Sequence, residues 1–250
     1  MDFFKKLIKY EKNIKNLLIY YYIYIYIYML CTSIALKERI TKPISGMLHV
    51  GSNTFRDLYI YHELGVSDDN IYWIEANPDT LSELKSSNTP NVFHGLIHDV
   101  DDENVDFYIT DYHTYSSILN FNRLLVHFPN VNILNTIPLK TSRIDSIIQK
   151  NKIPIESINY LSLDFETLDL SILKTIELYL KNNIDYIYLR VFKNNSLYDI
   201  VDEGMVHNAI DEYMLDNFNF RRIVSFPYSD SILGYDALFF KFEDEQEEEK

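Results

Sequence analysis

Four short stretches of this 250-residue chain carry residue types from which a ligand site is built. The first is "HVGSNTF", where an apolar lead-in reaches Gly51, Ser52 and Asn53. A glycine just after a strand lets the backbone approach a ligand, and the start of a following helix offers free N–H groups to a carboxylate or phosphate. A plain turn glycine fits the same pattern. The second is "IEANP", where Glu75 and Ala76 close another apolar run. An acid there accepts hydrogen bonds from both ribose hydroxyls of an adenosine-containing cofactor, and a solvated strand-end carboxylate would look the same. Together, the two at this spacing favour a nucleoside-type cofactor.

In the third stretch, "GLIHDVDDENVDF", Ile97, His98 and Asp99 are placed to flank an adenine, the aliphatic side chain on the base and a polar group at its edge. The competing reading is an aspartate-rich solvated turn. The same run holds Asp99-Val100-Asp101, a spacing that can hold a divalent cation for a nucleotide-sugar. In the fourth, "YLSLDFETLDL", Asp164 ends an apolar run and Glu166 and Asp169 follow. A carboxylate at Asp164 can orient or deprotonate an acceptor hydroxyl, or help place a sulfonium charge. Asp169 reads equally well as a helix-start residue.

Other chemistries find little support. His94 and His98 share a face in a strand-like run but lack a third ligand, so no metal site is expected. There is no Gly-x-Ser-x-Gly elbow, and the single cysteine, Cys31, lies in an apolar segment and precludes an internal disulfide. The formal charge is -14, and residues 43–250 hold 15 basic against 34 acidic residues. A body this acidic repels a phosphate backbone, which argues against nucleic acid as partner.

These stretches need elements to position them. Short β-branched or aromatic runs alternate with helix-period segments beyond Lys42, the pattern of a mainly parallel α/β sheet. Strands are expected at Met47–Val50, Ile71–Glu75, Asn91–Ile97, Val105–Thr110, Tyr160–Leu163, Tyr186–Val191, Arg222–Phe226 and Ala237–Phe242, the last two as an antiparallel pair. Helices are expected from about Thr54 to Leu64, with Phe55, Leu58, Tyr59 and His62 on one face and Gly65 closing it, and after Asn77-Pro78. A third spans "LDLSILKTIELYLK", with Leu170, Leu173, Ile176 and Leu180 buried. In such sheets ligands bind beyond the carboxyl ends of the strands, so the turns after Val50, Glu75, Ile97 and Leu163 are expected to converge.

The ends differ from this body. Residues 17–36 run without a charge behind five lysines, the length and flank of a membrane-spanning helix. A packed helix or a low-complexity extension are the alternatives. The expected division is therefore residues 1–42 as a basic and hydrophobic appendage, 43–242 as the domain, and 243–250 as an acidic, solvated tail. Location follows the same choice: membrane-anchored through residues 17–36, otherwise cytoplasmic.

Between Gly46 and Phe242 the chain resembles the FkbM-type methyltransferases. The likeness rests on "LHVGSNTF" followed by "YHELGV" and "IYWIEANP", "VDFYIT" followed by "SSIL", "PLKTSRIDSII", "LSLDFETLDLSILK", and the closing "IDEYMLDNFNFRRI" and "GYDALFFKF". The resemblance implies a Rossmann-like fold with S-adenosylmethionine as cofactor. It also implies methyl transfer to a hydroxyl of a sugar or other small metabolite. It assigns Gly51 to the cofactor turn, Glu75 to the ribose-binding acid and Asp164 to the aspartate of the Asp-x-Gln/Glu-Gly-x-Glu segment. Gly51–Asn53 would then hold the amino-acid part of the cofactor and the turn after Ile97 its adenine. The chain departs from the family pattern at Phe55 and Thr167, where glycine is usual, at Asp169, where glutamate is, and at Arg190, where an acid is common. These changes bear on activity more than on fold. A methyltransferase-like binding or scaffold module without catalysis, and a membrane-anchored glycosyltransferase, are the rival readings.

Overall fold

The chain was examined as a computed structural model, which describes residues 32–52, 57–119, 125, 129–164, 170–192, 207–227 and 234–243. The apolar runs form strands β1 (Met47–Val50), β2 (Ile71–Glu75), β3 (Val92–His94) and β4 (Leu96–Ile97). They continue with β5 (Asn104–Thr110), β6 (Ile133–Ser142), β7 (Tyr160–Leu163), β8 (Tyr186–Phe192), β9 (Phe220–Pro227) and β10 (Gly234–Lys241). The helices are α1 (Leu58–Glu63), α2 (Pro78–Ser86), α3 (Ile144–Asn151), α4 (Leu170–Lys174), α5 (Glu177–Asn182) and α6 (His207–Phe218).

Seven strands form one sheet in the order β3-β2-β1-β7-β8-β10-β9. Pairings from β3 through β8 are parallel, while β10 runs antiparallel to both β8 and β9. From β1 the chain winds outward through β2 to β3, then returns to place β7 on the other side of β1. The strand order therefore reverses between β1 and β7, the point at which sheets of this kind form a ligand crevice beyond the carboxyl ends of their strands.

Both faces of the sheet are covered, so its central strands read as continuous apolar runs. Successive residues alternate between two cores. Leu48, Val50, Ile74, Leu161, Leu163, Ile187 and Leu189 pack with α3–α6 residues such as Ile147, Leu173, Leu180 and Met214. Met47, Ile71, Trp73, Tyr160, Tyr186 and Leu238 pack with Ile60, Tyr61 and Leu36. Leu36 belongs to a helical segment at 32–39 and is 1% exposed.

That placement corrects the end of the expected span 17–36. The last five residues of the stretch lie in this helical segment, and Thr32, Ser33 and Leu36 are buried. A leucine packed against Met47 and Trp73 cannot at the same time face lipid. No helix among the described residues is long and apolar enough to cross a membrane. Residues 17–31 lie outside the described residues, as does the tail beyond Glu243.

Other departures have local causes. The expected strand Asn91–Ile97 breaks at Gly95, whose N–H donates to the Glu75 carbonyl at 3.0 Å. A Cβ at Gly95 would collide with the Cδ1 of Ile147. The chain leaves the main sheet at this point, and β4 joins a second sheet of order β4-β6-β5. β6 was not expected: Pro138 within it and its mostly exposed residues weaken a strand signal, yet it pairs along β5 from Ile133 to Lys140. α1 buries Ile60 and Tyr61 instead of the face through Leu58 and His62. His62 is exposed and pairs with Asp68 at 2.5 Å. The segment 170–182 forms two helices, with Leu173, Ile176 and Leu180 buried as the stripe required. Asn77 caps α2 by accepting from the Asp79 N–H at 3.0 Å, with Pro78 in the first turn.

Candidate functional site

The pairing of β1 with β2 and β7 brings Gly51, Glu75 and Asp164 to the same edge of the sheet. Gly51 takes φ 85°, a conformation that favours glycine, and its N–H donates to the Ile74 carbonyl at 2.9 Å. Across the reversal point the Asp164 N–H donates to the Val50 carbonyl at 2.9 Å. The parallel ladder is thus continued one residue past the strands on each side of β1, which fixes where both turns begin.

Glu75 is 6% exposed and its carboxylate is gripped at both oxygens. The Ser52 hydroxyl donates to Oε2 at 3.0 Å and the Asn77 N–H to Oε1 at 2.7 Å. These two donors orient the carboxylate at the carboxyl end of β2. Asn77 lies 3.3 Å through Nδ2 from His113 Nδ1, and Thr80 Oγ1 lies 3.1 Å from the same nitrogen. His113 follows β5, so the β5–β6 arm reaches back to the cap of α2 directly behind Glu75. His113 carries no signal in the sequence, because its partners lie more than thirty positions away.

A second buried polar group lies under the first turn. His49 is 1% exposed, with its Nδ1 2.6 Å from the Tyr61 hydroxyl and its Nε2 3.2 Å from the Gly51 carbonyl oxygen. Trp73 packs beside the imidazole, ring centroids 5.0 Å apart. Ligand atoms of His49, Asp57 and Asp164 all lie within 4.8 Å of one another. Burial pushes the Tyr61 hydroxyl well above its ordinary pKa, the charges of Asp57 and Asp164 adding to the effect against a hydrogen bond to Ser162. Tyr160 is raised for the same first reason, with Asp57 and Asp236 contributing. Both phenols therefore stay protonated.

The remaining expected residues are distributed unevenly. Ser52 is buried beside Glu75, and Ala76 packs against Leu96, Phe107 and Ile109 of the second sheet. Ile97 is buried in the main core with Val50 and Ile74. His98 donates its N–H to the Ser142 carbonyl at 3.0 Å and places Nδ1 2.6 Å from the Asp99 carboxylate. The histidine pair is split: His94 lies in the main sheet with Nε2 3.1 Å from the Ala76 carbonyl, and His98 follows β4 in the other. In Asp99-Val100-Asp101, the second carboxylate accepts from the Arg143 N–H at 2.7 Å and the Ser146 hydroxyl at 2.6 Å. Asp101 thus anchors the start of α3, which removes the main support for a nucleotide-sugar motif. Asn53, Phe55, Glu166, Thr167 and Asp169 lie outside the described residues.

The model of the family described as "Methyltransferase FkbM domain" matches residues 47–222. The chain belongs to the FkbM methyltransferase family. The match takes in every strand from β1 to β8 and both turns of the crevice, so the family assignment and the converging strand ends refer to the same part of the molecule.

Among solved structures, an FkbM methyltransferase from Methylobacillus flagellatus is 13% identical with a TM-score of 0.46, over 78% of this chain and 43% of that one. Aeropyrum pernix fibrillarin with natively bound S-adenosyl-L-methionine is 12% identical with a TM-score of 0.45, over 84% and 73%. MtNAS in complex with S-adenosylmethionine is 12% identical with a TM-score of 0.40, over 86% and 61%. The chain therefore spans about three fifths of MtNAS and less than half of the Methylobacillus protein. No curated protein matches it. The order of the seven strands itself defines the fold as that of an α/β sheet wound on both sides of β1.

Proposed function

We propose that this FkbM domain binds S-adenosylmethionine and transfers its methyl group to a hydroxyl of a sugar or other small metabolite. The observation that carries the reading is the buried Glu75 carboxylate, oriented by Ser52 and Asn77 at the carboxyl end of β2 beside the strand-order reversal. A buried carboxylate so placed and oriented is the kind of acceptor that a pair of vicinal ribose hydroxyls calls for. Gly51 and Ser52, continued by Asn53, are the segment assigned to the amino-acid part of the cofactor. Ala76 and the turn Ile97-His98-Asp99 are assigned to the adenine end, and His113 supports Asn77 from behind.

When bound, the cofactor would supply an electrophilic methyl on a sulfonium, which passes to the acceptor oxygen as its carbon–sulfur bond breaks and the thioether, S-adenosylhomocysteine, leaves. The residues of the chain would do the rest. Glu75 would hold the nucleoside through its ribose hydroxyls. Asp164, held at the edge of that crevice by its backbone bond to Val50, orients the acceptor hydroxyl and takes its proton. Positioning of this kind supplies a large part of the acceleration of a bimolecular transfer.

The test is calorimetric binding of S-adenosylhomocysteine to the full chain. Wild type is expected to bind, and Glu75→Ala to bind weaker on the order of 10–100-fold, the loss of hydrogen bonds to a charged group. Absence of binding, or affinity indifferent to Glu75→Ala, overturns the reading. Asp164→Asn is expected to retain cofactor binding while methyl release to a panel of hydroxyl acceptors falls. A wild type that binds but methylates none of them is instead the scaffold protein.

A further inference from the structure

We propose that His49, Asp57 and Asp164 form a site for a divalent first-row transition ion beneath the first turn. The proposal goes beyond methyl transfer and shares Asp164 with it, a carboxylate having two oxygens to divide between an ion and an acceptor hydroxyl. The three residues come from β1, the residue preceding α1 and the residue following β7, and their ligand atoms lie within 4.8 Å of one another. Donors around a single ion at about 2.1 Å stand roughly 3–3.5 Å apart, so rotation of the two aspartate side chains closes the remaining distance. Two carboxylates drawn this close repel each other, and a cation between them turns that repulsion into attraction.

Two further observations fit the same ion. The Gly51 carbonyl oxygen stands 3.2 Å from His49 Nε2, a spacing normal for adjacent ligands of one metal, and adds a neutral oxygen donor. On the far side of the ring the Tyr61 hydroxyl lies 2.6 Å from Nδ1. Metal-bound histidines characteristically give their other ring N–H to such a partner, which fixes the tautomer and the ring plane. With Nε2 as the ligand atom, Nδ1–H would donate to the Tyr61 hydroxyl. One imidazole, two carboxylates and a carbonyl suit manganese, iron or zinc better than an all-oxygen cage for calcium would. Such an ion would tie together β1, α1 and β7, the elements that frame the floor of the crevice.

The probe is Mn²⁺ titrated into chelator-treated full chain, with free ion followed by electron paramagnetic resonance and Zn²⁺ as competitor. The expected result is one tight site, displaced by Zn²⁺, above any weak binding to the acidic tail. Asp57→Asn, a partly exposed position, is expected to weaken that site by tenfold or more, and Tyr61→Phe by about tenfold through the partner of the imidazole. His49→Gln should do the same if it folds. The proposal is overturned if wild type shows no tight Mn²⁺ or Zn²⁺ site, or if the site is indifferent to Asp57→Asn. S-adenosylhomocysteine binding is measured on the same chelated samples. Cofactor binding without a tight ion site sinks this proposal alone, and a tight ion site without cofactor binding sinks the cofactor reading alone.

Discussion

At the scale of single residues, the crevice is organised by the hydrogen bonds that hold Glu75. A carboxylate this deeply buried is costly unless its acceptors are used, and the Ser52 hydroxyl is one of its donors. Ser52→Ala removes that donor and leaves the backbone N–H of Asn77 in place. The expected result is a loss of about 1–3 kcal/mol in denaturant-measured stability, with weaker S-adenosylhomocysteine binding in calorimetry than in wild type. Unchanged stability would mean that another donor replaces Ser52. The pairing of Gly51 with Glu75, and Asp164 after its strand, were legible from sequence because each sits immediately after an apolar run. The placing of His49, Asp57 and His113 was not, since their neighbours are brought close only by folding. His49 lies inside the apolar run of β1, where nothing in the pattern separates a packed imidazole from one that serves a site.

At the scale of elements, the β5–β6 arm is the part whose geometry matters to the site and whose limits were least visible. β5 was read nearly to the residue, but β6 was hidden by Pro138 and by its exposed surface, so the arm that delivers His113 could not be drawn. Its two ends are fastened by aspartates. Asp101 accepts from the Arg143 N–H and the Ser146 hydroxyl, and Asp111 accepts from the N–H and side-chain amide of Asn132 at 2.9 and 2.8 Å. At Asp101 partial burial works to raise the pKa but the hydrogen bonds outweigh it, and at Asp111 the Asn132 bonds dominate; both carboxyls end below their ordinary range. A folded pKa below the unfolded value of about 3.9 contributes stability that is present above the unfolded pKa and is lost as pH falls through the folded one. The melting temperature is therefore expected to fall on acidification below about pH 4, and to fall less steeply in Asp101→Asn/Asp111→Asn. Parallel profiles for variant and wild type would remove these aspartates from the account of acid sensitivity.

At the scale of the whole molecule, the question is where the folded unit begins. A boundary at Lys42-Pro43 follows from the composition shift, but the contacts run across it. Leu36 packs with Met47, Ile60, Tyr61 and Trp73. The N–H groups of Thr41 and Lys42 both donate to the Tyr186 hydroxyl, at 2.9 and 2.8 Å, and the Lys42 ammonium pairs with Asp185 at 3.1 Å. The Ser45 N–H donates to Asn159, which in turn donates to the Pro43 carbonyl. The segment thus closes the amino ends of β7 and β8, opposite the crevice, while its helical part covers the aromatic face of the sheet. Hydropathy could not distinguish a leucine bound for this core from one bound for lipid, because both need an uncharged run. Substitution can: Leu36→Ala is expected to cost about 2–5 kcal/mol, the range for emptying a buried leucine site. Ile34→Ala, at a position 49% exposed on the same segment, should stay within about 0.5 kcal/mol of wild type. Urea unfolding followed by Trp73 fluorescence reads both, since Trp73 lies in the same cluster as Leu36. Equal, small effects of the two substitutions would return the segment to the status of an appendage.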